Sequence, residues 1–197
     1  MALLTKGQEI LKQKLGKMSQ DTQNAFANGD ANIVDSVYFK RAEITGKSSL
    51  VDLLLNGDDR KDGITNISKQ KINQGENLAV ERIGVMVASI VADTKTAGTA
   101  EYTDVKTATD GALKNAELEL LIKQKKVVRV PLSHFNEEIK AGSQAIWFTL
   151  DAPKLVTDQD EIQFRLYVPE GANIDATSSK KSFIEVSIAG STLNVNN

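Results

Sequence analysis

The chain has no cysteine, one histidine, one tryptophan and three prolines in 197 residues. Without cysteine there are no disulfides, no thiolate-held zinc or iron–sulfur centres and no thiol nucleophile, so stability rests on packing. His134 is the lone histidine, and a zinc site or a catalytic triad has no second histidine, cysteine or Gly-x-Ser-x-Gly elbow to draw on. Phosphate-cradling loops of the Gly-x-Gly-x-x-Gly or Walker type are missing too, which removes support for nucleotide use. Charge of one sign is also lacking. Lys and Arg number 24 against 26 Asp and Glu, so no global basic field favours a nucleic-acid backbone.

Long hydrophobic runs are absent as well. The longest, residues 83–92, is broken by Gly84 and Ser89; it falls short of the about 20 residues that cross a hydrocarbon layer and reads as a core strand. The opening stretch MALLTKGQEILKQKLGKM holds no uninterrupted hydrophobic region and no small-residue cleavage site, so no cleaved secretory signal is expected. Asn66-Ile67-Ser68 matches a glycosylation acceptor, and without a secretory route it reads as chance. The length suits one substantial core with an appended arm rather than two full domains.

What is present falls into two regimes. Apolar residues at Leu4, Leu11, Leu15, Met18, Ala25 and Phe26 share one helical face. They predict a single amphipathic helix over residues 3–27, stopped by Asn28-Gly29-Asp30. Lys6, Lys12, Lys14 and Lys17 outnumber Glu9 on it. A basic amphipathic element of this kind lies on a membrane, touches packaged nucleic acid, docks into a neighbouring subunit, or caps its own domain. Leu4, Leu11, Leu15, Met18 and Phe26 form its expected partner-facing stripe.

Beyond residue 28 the hydrophobic period falls to two, and short β-branched runs are separated by Gly, Asn, Asp and Pro. Candidate strands are residues 37–44, 50–55, 78–91, 117–123, 127–132, 145–150, 161–168 and 183–188, with a tail at 193–195. In EIQFRLYVPEG, Ile162, Phe164, Leu166 and Val168 point one way and the polar set the other; Ile184, Val186 and Ile188 repeat the pattern. NAELELLIKQKKVVRVPLSHF reads as a hairpin: Leu118, Leu120 and Ile122 form one face, residues 124–126 turn the chain, and Val128 and Val130 return to the core. Residues 94–111 read as a long loop with one frayed strand around 102–107.

Potential chemistry is sparse. His134 reads as a structural or surface residue. In the acidic loop 56–63, Asp58, Asp62 and Gly63 occupy three places of a calcium loop, but Arg60 replaces a ligand and Lys69 stands where the bidentate Glu belongs, so a turn is expected. The acids of TDQDE, residues 157–161, read as solvating a strand entry rather than as a metal site or a glycosidase pair. Trp147, beside Phe148, reads as core packing rather than as an exposed sugar platform. No catalytic, cofactor-binding or metal-ligating residue is therefore expected, and a β-sandwich enzyme is disfavoured.

The succession DGITNISKQKINQGENLAVERIGVMVA, LKNAELELLIKQKKVVRVPLSHF, IWFTLDAPKLVTDQDEIQFRLYVPEG and FIEVSIAG resembles jelly-roll virion proteins of bacteriophages, especially those infecting Bacteroidetes, with membrane-containing phages of the PM2-like lineage as the nearest type. The similarity covers about residues 62–190 and is one of pattern: a long first strand at 78–91, a Pro131-Leu132-Ser133 corner, a Pro153-led segment, and a strand closed by Val168-Pro169-x-Gly171. It implies an all-β fold, an antiparallel jelly-roll sandwich or barrel over residues 29–197, with the N-terminal amphipathic α-helix, residues 1–28, as an arm. It further implies a structural capsid subunit (shell, penton or minor protein) that self-assembles into an icosahedral particle in the host cytoplasm. Its partners would be copies of itself and other virion proteins, with membrane or genome contact through the helix, and no cofactor or small-molecule substrate. The alternative is a carbohydrate- or receptor-binding jelly-roll module using Trp147, Tyr102 or Tyr167 as a stacking platform.

Overall fold

Backbone hydrogen bonding in the computed structural model, which describes residues 5–108, 110–135, 147–174 and 179–195, begins with a helix that the sequence starts and stops locally. Thr5 accepts from the Gln8 amide while the Gln8 side chain accepts from the Thr5 amide, a capping box that opens α1, Lys6–Gln13. The expected single helix does not form. A 3₁₀ turn at Leu15–Lys17 and extended backbone at Met18 intervene, and Ser19 accepts from the Thr22 amide to start α2, Gln20–Asn28. Gly16 disfavours helix, and Ser19 offers the backbone an alternative hydrogen bond; a near-helical spacing of apolar residues survives such a break, so periodicity alone does not reveal it. The predicted stop holds: α2 ends at Asn28, and Gly29 takes a φ of 81°.

The remaining described residues form nine strands: β1 Ala31–Glu43, β2 Leu50–Asp52, β3 Glu76–Ala92, β4 Thr103–Asp104, β5 Glu117–Ile122, β6 Lys125–Pro131, β7 Trp147–Thr157, β8 Ile162–Tyr167 and β9 Lys180–Val195. A four-residue helix, α3 Gly111–Lys114, precedes β5. All pairings between strands are antiparallel. One sheet runs β1-β9-β3, with β7 and β4 sharing the far side of β3, and the other runs β2-β8-β5-β6. The pairs are nested: β1 with β9, β2 with β8, β3 with β7, and β5 with β6. Leu78, Val80, Ile83, Val85, Ile184, Val186 and Ile188 of the first sheet meet Leu118, Leu120, Ile122, Ile162, Phe164 and Leu166 of the second in one buried core. The chain is thus mainly β, two antiparallel sheets face to face.

Three predicted boundaries were wrong for identifiable reasons. β9 is a single strand through Gly190, where a strand at 183–188 and a separate tail at 193–195 are expected. Gly190 lies opposite the bulge of β3 at Glu81, where a Cβ would overlap the Ala79 carbonyl. β7 likewise continues through Pro153, which occupies the interruption between the Val80–Lys154 and Arg82–Thr149 pairs on an edge strand and so breaks no ladder bond. Only Leu50–Asp52 of the 50–55 run pairs as a strand.

The arm folds back onto the first sheet. α1 touches β3, β7 and β9, and α2 touches β1 and β9. Leu11 and Met18 are buried with Ala79 and Leu193, flanked by Leu15, Phe26, Ile33 and Leu155. The stripe read as partner-facing thus covers the outer face of its own sheet; Leu4 lies outside the described residues. No helix among the described residues is long and apolar enough to cross a membrane.

Candidate functional site

Where β6, β7 and the arm converge, a groove of about 400 Å³ opens between the two sheets. Its first wall is the β5–β6 hairpin. Lys123 and Gln124 take φ values of 54° and 61°, giving the two-residue turn that matches strand twist. A register shift between Leu120 and Leu121 leaves Val127 as an extra residue on β6. Turn and bulge together place Lys123, Lys125 and Lys126 on the groove.

The second wall is the β7–β8 connection. The Lys123 amide donates to the Glu161 carbonyl at 2.9 Å. The Asp160 carboxylate accepts from the Thr157 amide at 2.9 Å and from the Lys123 ammonium at 2.9 Å. Lys154, just past the Pro153 interruption, lines the same wall, and Lys14 and Lys17 reach in from the 3₁₀ turn that breaks the arm. Among the described residues the lining therefore holds six lysines and one carboxylate, over apolar Ile122, Val127 and Leu155. Lys123 alone among these lysines has a carboxylate within ion-pair distance among the described residues. Such a groove attracts anions.

In the sequence Lys14 and Lys17 belong to a basic helix and the lysines near 123–126 to a turn, and nothing local marks Lys154. The signal was the Lys-Gln-Lys-Lys run itself, but its convergence with the arm is a property of strand register.

The other singled-out residues are dispersed. His134 is exposed at the end of a 3₁₀ turn, Leu132–His134. Asp58 of the acidic loop pairs with Lys40 at 2.8 Å and accepts from the Leu55 amide, so its carboxylate anchors the loop. Asp158 accepts from the Gly75 amide at 2.9 Å. Asn66 uses its amide against β1, accepting from Phe39 and donating to the Val37 carbonyl. No cluster of three or more His, Asp or Glu suited to a metal occurs among the described residues.

Trp147 corrects an expectation. It is half-buried on the outer face of the first sheet, not in the core, because Gly84 leaves the space its ring occupies: a Cβ there would stand 2.8 Å from the indole. The Arg82 guanidinium lies 5.2 Å from the centre of that ring. Tyr102 carries Arg41 at 4.8 Å, and Arg41 is also ion-paired with Glu185 at 2.6 Å. On the second sheet Arg129 covers Tyr167 at 3.7 Å, and the Tyr167 hydroxyl donates to Glu119 at 2.9 Å. Each ring thus has a cation over it, with Trp147 on the first sheet, Tyr102 in the loop before β4 and Tyr167 on the second sheet. Burial raises the Tyr102 phenol above its ordinary pKa, and the hydrogen bond to Glu119 raises that of Tyr167.

No protein-family model matches the chain, and no curated protein matches it at a meaningful level.

Proposed function

We propose that the chain is a structural subunit of a virus particle, built on a jelly roll and assembling through its sheet edges. The nested strand pairing carries the reading: first with last, second with second-last, then β3 with β7 and β5 with β6. That is the order obtained when one long antiparallel ribbon is rolled into two facing sheets, the double-sheet route to managing strand edges that capsid jelly rolls use. β4 is an addition at the margin of β3. Fold alone does not assign function, so a second feature matters. The N-terminal part of β1, up to Ser36, is an edge, with the Val34 and Val37 side chains exposed at 42% and 51%, whereas Asn66, Thr65 and Ile64 cover the backbone only from Val37 onward. An open edge of this kind is a template for pairing with another chain.

Size-exclusion chromatography with light scattering, followed by electron microscopy of the full chain, tests the proposal. Discrete oligomers or closed particles are expected, and their loss in Val34→Lys/Val37→Lys is the accompanying sign. A monomer at every concentration and ionic strength, together with absence of the chain from a mass-spectrometric inventory of purified particles, would refute it.

A further inference from the structure

We infer that the lysine groove between the arm, the β5–β6 hairpin and β7 binds the phosphodiester backbone of a nucleic acid without reading its sequence. The charge distribution is the first ground. The chain has slightly more acids than bases, yet six lysines and a single carboxylate share this groove. They come from three segments far apart in the chain, around residues 14–17, 123–126 and 154. Like charges brought together repel, and of the six lysines only Lys123 pairs with Asp160. The other five have no carboxylate partner among the described residues, and a polyanion would supply anionic partners.

The identity of the charges narrows the ligand. Arginine, whose planar fork recognises base edges or a single phosphate bidentately, does not line the groove. Nor does an aromatic ring among the described residues, so bases have nothing there to stack on. Lysines on flexible stems act as point charges toward phosphates spaced along a strand, the sequence-independent part of nucleic-acid binding. A bilayer suits the site poorly. The apolar residues Ile122, Val127 and Leu155 belong to a concave lining shared by both sheets and the arm, whereas interfacial binding needs an apolar face presented to the headgroups.

Fluorescence anisotropy of a labelled oligothymidylate, titrated with the full chain at several salt concentrations, tests this. Five unpaired lysines predict a logarithmic salt slope of about −3.5, or roughly a hundredfold loss of affinity between about 50 and 200 mM salt. Lys125→Glu/Lys126→Glu, Lys154→Glu and Lys14→Glu/Lys17→Glu should each weaken binding and flatten the slope, with circular dichroism showing each fold intact. They lie on three different segments, so misfolding of one leaves the others informative. Lys106→Glu makes a single charge reversal at an exposed site outside the groove and should leave binding near that of the parent. Absence of binding, or equal weakening by Lys106→Glu and Lys154→Glu, overturns the inference. So does binding to phosphatidylserine vesicles, sensitive to the groove substitutions, with none to the oligothymidylate.

Discussion

The Gly7 amide donates to the Glu81 carboxylate at 2.7 Å, and a Cβ on Gly7 would stand 2.7 Å from that same oxygen. Glu81 sits at the β3 bulge, where the missing side chain of Gly190 lets the strands approach. A carboxylate thus meets the first turn of α1, where unpaired amides and the helix dipole favour negative charge. This bond joins the arm to the sheet beside those of Thr5 with Ser191 and of Asn77 with Thr22.

Gly7→Val should therefore lift α1, and Glu81→Gln should loosen it by about 1.5 kcal/mol, the scale of a hydrogen bond to a charged group. Limited proteolysis reads this as faster cleavage near Lys12 and Lys14 with the β domain still protected. Unchanged cleavage in both variants would show that Leu11 and Met18 hold the arm without help.

Removing residues 1–28 uncovers Ala79 and Leu193, which are otherwise fully buried, along with Ile33 and Leu155. The truncated chain should aggregate or melt earlier than the full one. Leu11→Ala gives a milder version of the same loss, about 2–5 kcal/mol for a leucine this buried. A truncated chain that stayed soluble with the parental melting temperature would mean that the arm serves another surface.

Phe164 and Ile184 face each other's sheets from the common core, and both are fully buried. Phe164→Ala and Ile184→Ala should each cost about 2–5 kcal/mol in urea denaturation, enough to approach the stability of a whole domain. His134→Ala, at an exposed site, should stay within about 0.5 kcal/mol of the parent. Comparable losses in all three would be incompatible with this packing.

All three tyrosines have phenols shifted upward: Tyr38 and Tyr102 chiefly by burial, Tyr167 chiefly by its bond to Glu119. A raised acid stays protonated in the folded chain while the unfolded chain ionises near the ordinary value of 10.0. Their contribution is thus complete below about pH 10 and declines as pH climbs above it. Spectrophotometric titration should show little phenolate before alkaline unfolding, and Tyr38→Phe should make that unfolding less steep in pH. Phenolate appearing at ordinary values in a folded chain would contradict the burial of Tyr38.

Much of the sheet structure was legible because alternation is local: a residue's face in a strand depends only on its neighbours in sequence. Ile162, Phe164 and Leu166 were placed correctly on that basis, as were Ile184, Val186 and Ile188. Trp147 was misplaced because the space it fills belongs to Gly84, a residue on another strand some sixty positions earlier.

From sequence alone came the change from helical to two-residue periodicity near Gly29 and the core faces of the strands. Tertiary structure alone decided that Pro153 and Gly190 lie inside strands, since each is tolerated only where a partner strand bulges or ends. It also decided that the arm's apolar stripe lands on Ala79 and Leu193, and that Lys14, Lys17, Lys125, Lys126 and Lys154 meet in one groove. Hydrophobic pattern fixes which way a side chain points, but which distant side chains become neighbours is set by strand register and by the approach of one element to another.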